Sequence, residues 1–288
     1  MDYPISVPSI GLVGGKFVDE DPLTGTPGSL IPAQWGNAVT DELLHVITDA
    51  GITPDELNNT QLLAAIKAVV KQQGVTPGRL LNIRTITVSG TYNPTPGTTS
   101  IVVRQAGGGG AGGGAPATAA SAFSVGGGGG SGSYAVSRFT SGFSGAVITI
   151  GSGGTPLSGG NGGNGGATSF GALLTTAGGF GGSSQGNAAA GVAAAGGGGG
   201  ATPSGNIESA GGGVGGYGIF VPSSANFPIG GVGSGGFWGG GGFGSTAGVG
   251  GAGTSPGAGG GGSSNQVSSA AKLGGAGAPG IVVVYEYA

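Results

Sequence analysis

The stretch Gln105-Ala-Gly-Gly-Gly-Gly-Ala-Gly-Gly-Gly-Ala115 decides how the rest of the chain is read. It opens a glycine-dominated region that runs almost to the C-terminus. Further runs stand at Gly126–Gly130, Gly196–Gly200, Gly239–Gly242 and Gly259–Gly262. Most of the 77 glycines follow residue 105, and only Arg138, Glu208, Lys272 and Glu286 are charged there. Glycine loses more entropy on folding than any other residue and buries no side chain, so such a region reads first as a flexible tail. The competing reading is an ordered all-β domain whose glycine segments lie backbone against backbone as polyproline-II-like rods.

Apolar content favours order. Flexible glycine linkers carry little apolar matter. Here Phe123, Tyr134, Phe139, Phe143, Phe170 and Phe180 are spread among the glycines, followed by Tyr217, Phe220, Phe227, Phe237, Trp238 and Phe243. Strand-like islands recur at Ala146–Ile150, Ser169–Leu174 and Ile281–Tyr287. The glycines keep no strict G-X-Y period, which excludes collagen.

Upstream of the glycines the composition is ordinary. Pro4, Pro8, Pro22 and Pro27 forbid a helix through residues 1–31, which read as an extended, turn-rich arm. Gly11-Leu-Val-Gly-Gly-Lys16-Phe17 is too short between its glycines for a phosphate loop and has Phe where Ser or Thr must ligate magnesium. A first helix opens at Pro32, with Trp35, Val39, Leu43, Val46, Ile47 and Ala50 on one face, and Gly51 ends it. A second is expected from Thr53 as N-cap, with Pro54 first and Glu56 as capping partner; Gly74 closes it. Its stripe runs through Leu57, Leu62 or Leu63, Ile66 and Val69 or Val70. Leu62, Ile66 and Val69 suit a coiled-coil seam that would trimerise the chain, although packing between the two helices of one chain would use the same face.

Thr85 to Tyr92 alternates as a half-buried strand, Asn93–Gly97 is a turn, and Ile101–Arg104 is the next strand. The closing strand Ile281–Tyr287 is apolar at successive positions. It is therefore expected to be covered on both faces and to pair centrally, beside Ile101–Arg104. The fold class is α+β: an arm over 1–31, a two-helix segment over 32–83 able to form a coiled coil, and an all-β glycine-rich domain over 84–288.

Several functions are disfavoured by what the residues lack. Without cysteine there is neither a disulfide nor a thiolate metal site. A net charge of −3 without a basic patch argues against nucleic acid as a partner. No apolar run is long enough for membrane insertion, and no secretory signal is visible, so synthesis in a cytoplasm is expected. At this glycine density a GxGxxG pattern arises by chance and implies no dinucleotide. Beyond residue 105 the carboxylates are Glu208 and Glu286, without His or Cys, so a glycan hydrolase would have to use that pair; no catalytic residue and no cofactor is expected. His45 is the one imidazole, and three copies could ring a trimer axis, but a single mid-helix histidine is read as an ordinary side chain and no metal is assigned.

The N-terminal phrase Asp21-Pro-Leu-Thr-Gly-Thr-Pro-Gly-Ser-Leu-Ile-Pro-Ala-Gln-Trp-Gly-Asn37 carries a resemblance, together with Asp41–Leu44, Ala50–Leu57 and Gln61–Ile66. It is similar to the N-terminal segment of bacteriophage tail fibre proteins. The glycine-rich part resembles the receptor-binding tips of such fibres, and it closes with Gly277-Ala-Pro-Gly-Ile-Val-Val-Val-Tyr-Glu-Tyr-Ala288. The resemblance implies a short homotrimeric fibre in the virion, held to tail or baseplate proteins by its N-terminal part and touching a receptor on the bacterial surface with its C-terminal part. Contact there is expected from Tyr217, Phe220, Phe227, Phe237, Trp238 and Phe243, since binding residues favour loops on a rigid scaffold. The alternative is an ordered structural polyglycine protein, ice-binding or fibrous, with the rods themselves as the working surface.

Overall fold

The computed structural model describes residues 4–7, 9–25, 27–72, 78–222 and 226–288. The chain divides into two compact units, Met1–Thr76 and Pro77–Ala288.

In the first unit the arm is looped back on itself. The Leu30 N–H donates to the Ile10 carbonyl and the Ser29 N–H to Val18, both at 2.9 Å, while Ser29 Oγ donates to the Gly11 carbonyl at 2.7 Å. Helix α1 spans Ala33–Asp49 with Pro32 as N-cap residue, and Gly51 follows it at φ +73°. Helix α2 spans Gln61–Gln72 and so starts seven residues later than the Thr53 cap, with Pro54 first, implied. Side chains divert the intervening backbone. Asp55 Oδ1 accepts the Leu57 N–H at 3.0 Å and Asn58 Oδ1 accepts the Thr60 N–H at 3.0 Å, two turns that compete with a helix. Gln61 folds back over them, donating to the Thr53 carbonyl at 2.6 Å and accepting from the Asp55 N–H at 2.8 Å. Leu57 consequently leaves the apolar stripe and is exposed. The helices pack on each other, and Ile47 and Ala65 are buried. Ile66 is exposed, whereas Leu62 and Val69 are half-buried. Among the described residues no coiled coil is seen, and Gly74 lies outside them.

The second unit begins with β1 (Leu80–Ile86), β2 (Gly90–Thr91) and β3 (Ser100–Ala106). Strand β1 ends at Ile86 rather than reaching Tyr92, which leaves Val88 exposed. Then come β4 (Phe123–Gly126), β5 (Tyr134–Phe139), β6 (Val147–Thr149), β7 (Thr168–Phe170) and β8 (Leu174–Thr176). The island at 169–174 is thus a hairpin turning at Gly171, φ +51°. The remaining strands are β9 (Ser184–Ala188), β10 (Val192–Ala194), β11 (Glu208–Ala210), β12 (Gly218–Phe220), β13 (Ser264–Asn265) and β14 (Ile281–Tyr287).

Two antiparallel sheets, ordered β1-β14-β3-β5-β11 and β2-β6-β7-β8, share a core of Tyr92, Ile101, Val103, Ala135, Phe143, Ile148, Phe170, Leu174, Val282 and Val284. Each large side chain buried there contributes about 1.5–3 kcal/mol. Strand β14 does pair with β3, Ile281 opposite Ala106 through Tyr287 opposite Ser100. Its burial alternates, however, so only one face is fully covered and the other is half-open. Glu286 lies on the buried face. Its carboxylate accepts from Tyr92 Oη at 2.6 Å and from Thr95 Oγ1, with Arg84 Nη1 3.7 Å away. Burial alone would raise its pKa; the Thr95 and Tyr92 hydrogen bonds and the Arg84 charge outweigh burial and hold it below the usual carboxylate value.

The glycine runs continue these strands as packed rods. Residues 126–133 show the rule. The N–H groups of Gly126, Gly129 and Gly132 donate to Ser263, Gly260 and Gly257; those of Gly127, Gly130 and Ser133 to Ser183, Phe180 and Ala177; those of Gly128 and Ser131 to Gly216 and Gly213. These bonds are 2.7–3.0 Å long. Its carbonyls accept from segments 107–113, 197–200 and 231–234. A period of three with no internal hydrogen bond is the polyproline-II helix. Each N–H turns a third of a circle from the last, so a rod presents three rows of donors and three of acceptors, enough for six neighbours. Residues 107–115, 126–133 and 257–263 each have all six. Around them stand 151–155, 160–166, 177–183, 195–200, 212–216, 230–234, 241–245, 250–253 and 274–278.

Only glycine fits inside this lattice. A Cβ on Gly109 would stand 2.0 Å from the Ala258 carbonyl oxygen, and one on Gly128 2.0 Å from that of Val232. Peripheral rods instead carry a side chain outward at every third residue, as in Ala177, Phe180 and Ser183. Asn161 and Asn164 do the same, and their Oδ1 atoms accept the N–H groups of Ser184 and Gly181 at 2.8 and 2.9 Å.

Candidate functional site

The rods separate two ends of the second unit. At one end β3, β5 and β14 grow out of rods 107–115, 126–133 and 274–278, forming the sandwich where the chain enters. At the other, the rods are joined by loops around 116–125, 156–159, 184–194, 217–222 with 226–229, 246–249 and 264–273. A small second core supports these loops. Phe123 stacks on Phe220 at 4.2 Å with 23° between the rings, beside Val125 and Ala194. The sheets β13-β4-β9 and β10-β12 frame it. Side chains tie loop to loop: Asn265 Nδ2 donates to the Pro116 and Ala270 carbonyls at 2.9 Å, Thr118 Oγ1 to Gln266 at 2.6 Å, and Ser124 Oγ to Pro116 at 2.6 Å. Lys272 is the one charged residue described in these loops, and its Nζ donates to the Ala247 carbonyl at 3.2 Å.

The six aromatic residues expected to form a contact surface are not brought together. Tyr217 and Phe227 lie in the far-end loops and are 64% and 52% exposed. Phe220, in the same loop, is 1% exposed and belongs to the core, so it offers nothing to a partner. Phe243 sits on the side of the lattice, its ring covering Gly251, and is 68% exposed.

Phe237 and Trp238 belong to a loop at the sandwich end. Phe237 stacks on Tyr134 at 3.7 Å with 3° between the planes, and Trp238 meets both rings edge-on at 5.5 and 5.3 Å. The Arg104 guanidinium lies 5.5 Å from the Phe237 centroid and 5.9 Å from that of Tyr134. Arg104 and Tyr134 were not singled out in the sequence. The signal was there: an arginine at an alternating position of an apolar strand must face outward.

The two late carboxylates do not converge. Glu286 faces the sandwich core, whereas Glu208 is exposed on β11, whose partner Val136 lies in the outward row. Among the described residues no three His, Cys, Asp or Glu side chains gather in one place, and no helix is long and apolar enough to cross a membrane.

No curated protein matches the chain. Residues 85–287 match the family described as "Glycine-rich domain", and their extent coincides with the strands and rods described above. The chain belongs to this glycine-rich domain family.

Proposed function

We propose that the chain is a non-catalytic attachment protein of a bacteriophage tail fibre, whose second unit touches a receptor on the bacterial surface. One observation supports this most: a glycine lattice in which every N–H of the three inner rods is bonded holds six loops at the end opposite to where the chain enters. Loops on a rigid scaffold are the usual carriers of binding. Tyr217 and Phe227 provide exposed aromatic anchors there. The first unit serves as attachment and trimerisation segment, with Leu62, Ile66 and Val69 as contacts between copies. The ice-binding or fibrous alternative asks for one repeated chemistry along the rods. The outward positions instead change from rod to rod: Asn161 and Asn164, Phe180, Val214, Val232 and Phe243.

Immunogold labelling of phage particles with antibody to this chain is expected to mark the tail; a label elsewhere, or none, overturns the assignment. Tyr217→Ala and Phe227→Ala are expected to lower adsorption to host cells at least about tenfold with an unchanged Tm, since a single anchor is worth about 2 kcal/mol. Phe220→Ala should instead cost about 3–5 kcal/mol of stability. Serine at Leu62, Ile66 and Val69 together should dissociate the assembly in light scattering; a persistent trimer would put the contacts elsewhere.

A further inference from the structure

Two arginines stand on the half-open face of the five-stranded sheet, and neither is within ion-pair distance of Glu208, the carboxylate opposite Val136 on that face. Strand pairing puts Tyr285, Val102 and Arg138 in one row, and Val283, Arg104 and Val136 in the next. Arg104 and Arg138 are therefore diagonal neighbours on β3 and β5, about 7–8 Å apart. The one ion pair among the described residues, Arg84 with Glu286, belongs to the opposite face.

Arg104 is held in place by neutral groups. Its Nε donates to Tyr134 Oη at 3.0 Å and its Nη1 reaches Tyr285 Oη at 3.5 Å, with the Phe237 ring beneath. A guanidinium has five donors, so these two hydroxyls leave three, and neither offsets the charge. Because the fork is already oriented, an incoming carboxylate would lose little conformational freedom in binding it. Arg138, with Gly78, Ser100, Val102 and Tyr287, lines a cavity of about 180 Å³. That is below the range for a drug-sized ligand and matches a single ring-sized group. Phe237 is half-exposed beside Trp238, so an aromatic surface adjoins Arg104.

We propose that this face binds an acidic saccharide, with sugar carboxylates on Arg104 and Arg138 and a sugar ring against Phe237 and Trp238. Arginine forks match carboxylates in two-point hydrogen bonds, and aromatic rings accept the apolar face of a sugar. Two cations on a chain of net charge −3 are too few for a nucleic acid, whose affinity comes from many phosphates. The site is separate from the far-end loops and does not depend on the attachment reading.

The probes are trigalacturonate and its methyl ester, which keeps the sugar and removes the charge. With Trp35→Phe, Trp238 is the single tryptophan of the chain and reports on the face directly. Trigalacturonate is expected to change Trp238 emission saturably and to release heat in calorimetry, while the methyl ester does neither. Arg104→Gln and Arg138→Gln should each weaken binding about tenfold, the loss of one charge-assisted hydrogen-bonded contact. Should Arg104→Gln fail to fold, Arg138→Gln decides, because its side chain is exposed and makes no ion pair among the described residues. Three results would overturn the proposal: no response to trigalacturonate at millimolar concentration, an equal response to the ester, or wild-type affinity in the folded arginine variants.

Discussion

Gly128→Ala is expected to unfold the lattice, whereas Gly198→Ala, within an equally pure glycine run, leaves it intact. The new Cβ at 128 would stand 2.0 Å from the Val232 carbonyl oxygen and 2.4 Å from its carbon, both backbone atoms that cannot swing away. Relief requires moving a rod that is bonded to its other neighbours as well, so the cost should reach about 4 kcal/mol or more. At Gly198 the nearest atom is Phe180 Cδ2 at 3.5 Å, an ordinary contact. There, alanine should be neutral or stabilising by about 0.4–1 kcal/mol, because it reduces the freedom of the unfolded chain. The rod 195–200 lies on the periphery, and its third-residue position faces out. Amide exchange of Gly126–Gly130 in the two variants is the measurement. Equal protection in both would mean that the close rod contacts do not hold the domain together.

The second large effect is expected at Glu286. Removing it by Glu286→Ala should cost about 3–5 kcal/mol, the usual loss when a buried charge network is broken. Tyr92→Phe should cost about 1–3 kcal/mol, since the phenol is a buried partner of the carboxylate. The pH dependence follows from the sign of the shift. The folded pKa of Glu286 lies below its unfolded value, so the carboxylate contributes stability that is complete above the unfolded pKa, about 4.3, and is lost as pH falls through the folded one. Protection of the β14 amides should therefore decline in acid. Tyr92, whose pKa is raised by burial first and then by Glu286, stays protonated and adds no transition in that window. In Glu286→Gln the acid decline should vanish; an unchanged slope would place the titrating group elsewhere.

Much of the scaffold was legible because its signals are local. Gly51 at the end of α1, the Ile101 and Ile281 strands and their pairing were all read from pattern alone. Errors arose where side chains compete with the backbone. Thr53-Pro54 with Glu56 is a sound capping phrase, yet Asp55, Asn58 and Gln61 bind the same backbone groups and delay α2 to Gln61. The candidate contact residues were legible as aromatics but not as positions. Tyr217, Phe220 and Phe227 share one loop, yet Phe220 points into the core beside Phe123, a residue far away in sequence.

The sequence by itself determined that the glycine runs are ordered, since their apolar islands need burial and glycine alone lets backbones meet. It determined the two-helix start, the central pairing of the last strand beside Ile101–Arg104, and the near absence of charge beyond residue 105. Tertiary structure alone decided which rods lie inside. Gly107–Gly110, Gly126–Gly130 and Gly259–Gly262 fall in the rods with six neighbours, while Gly196–Gly200 and Gly239–Gly242 reach only the rim. Five runs of the same residue carry no label for their place in the lattice. That place depends on which neighbours supply acceptors to each N–H row, and those neighbours come from distant parts of the chain. The same holds for Arg104 and Arg138: strand register, absent from either segment read alone, sets two unpaired cations on one face.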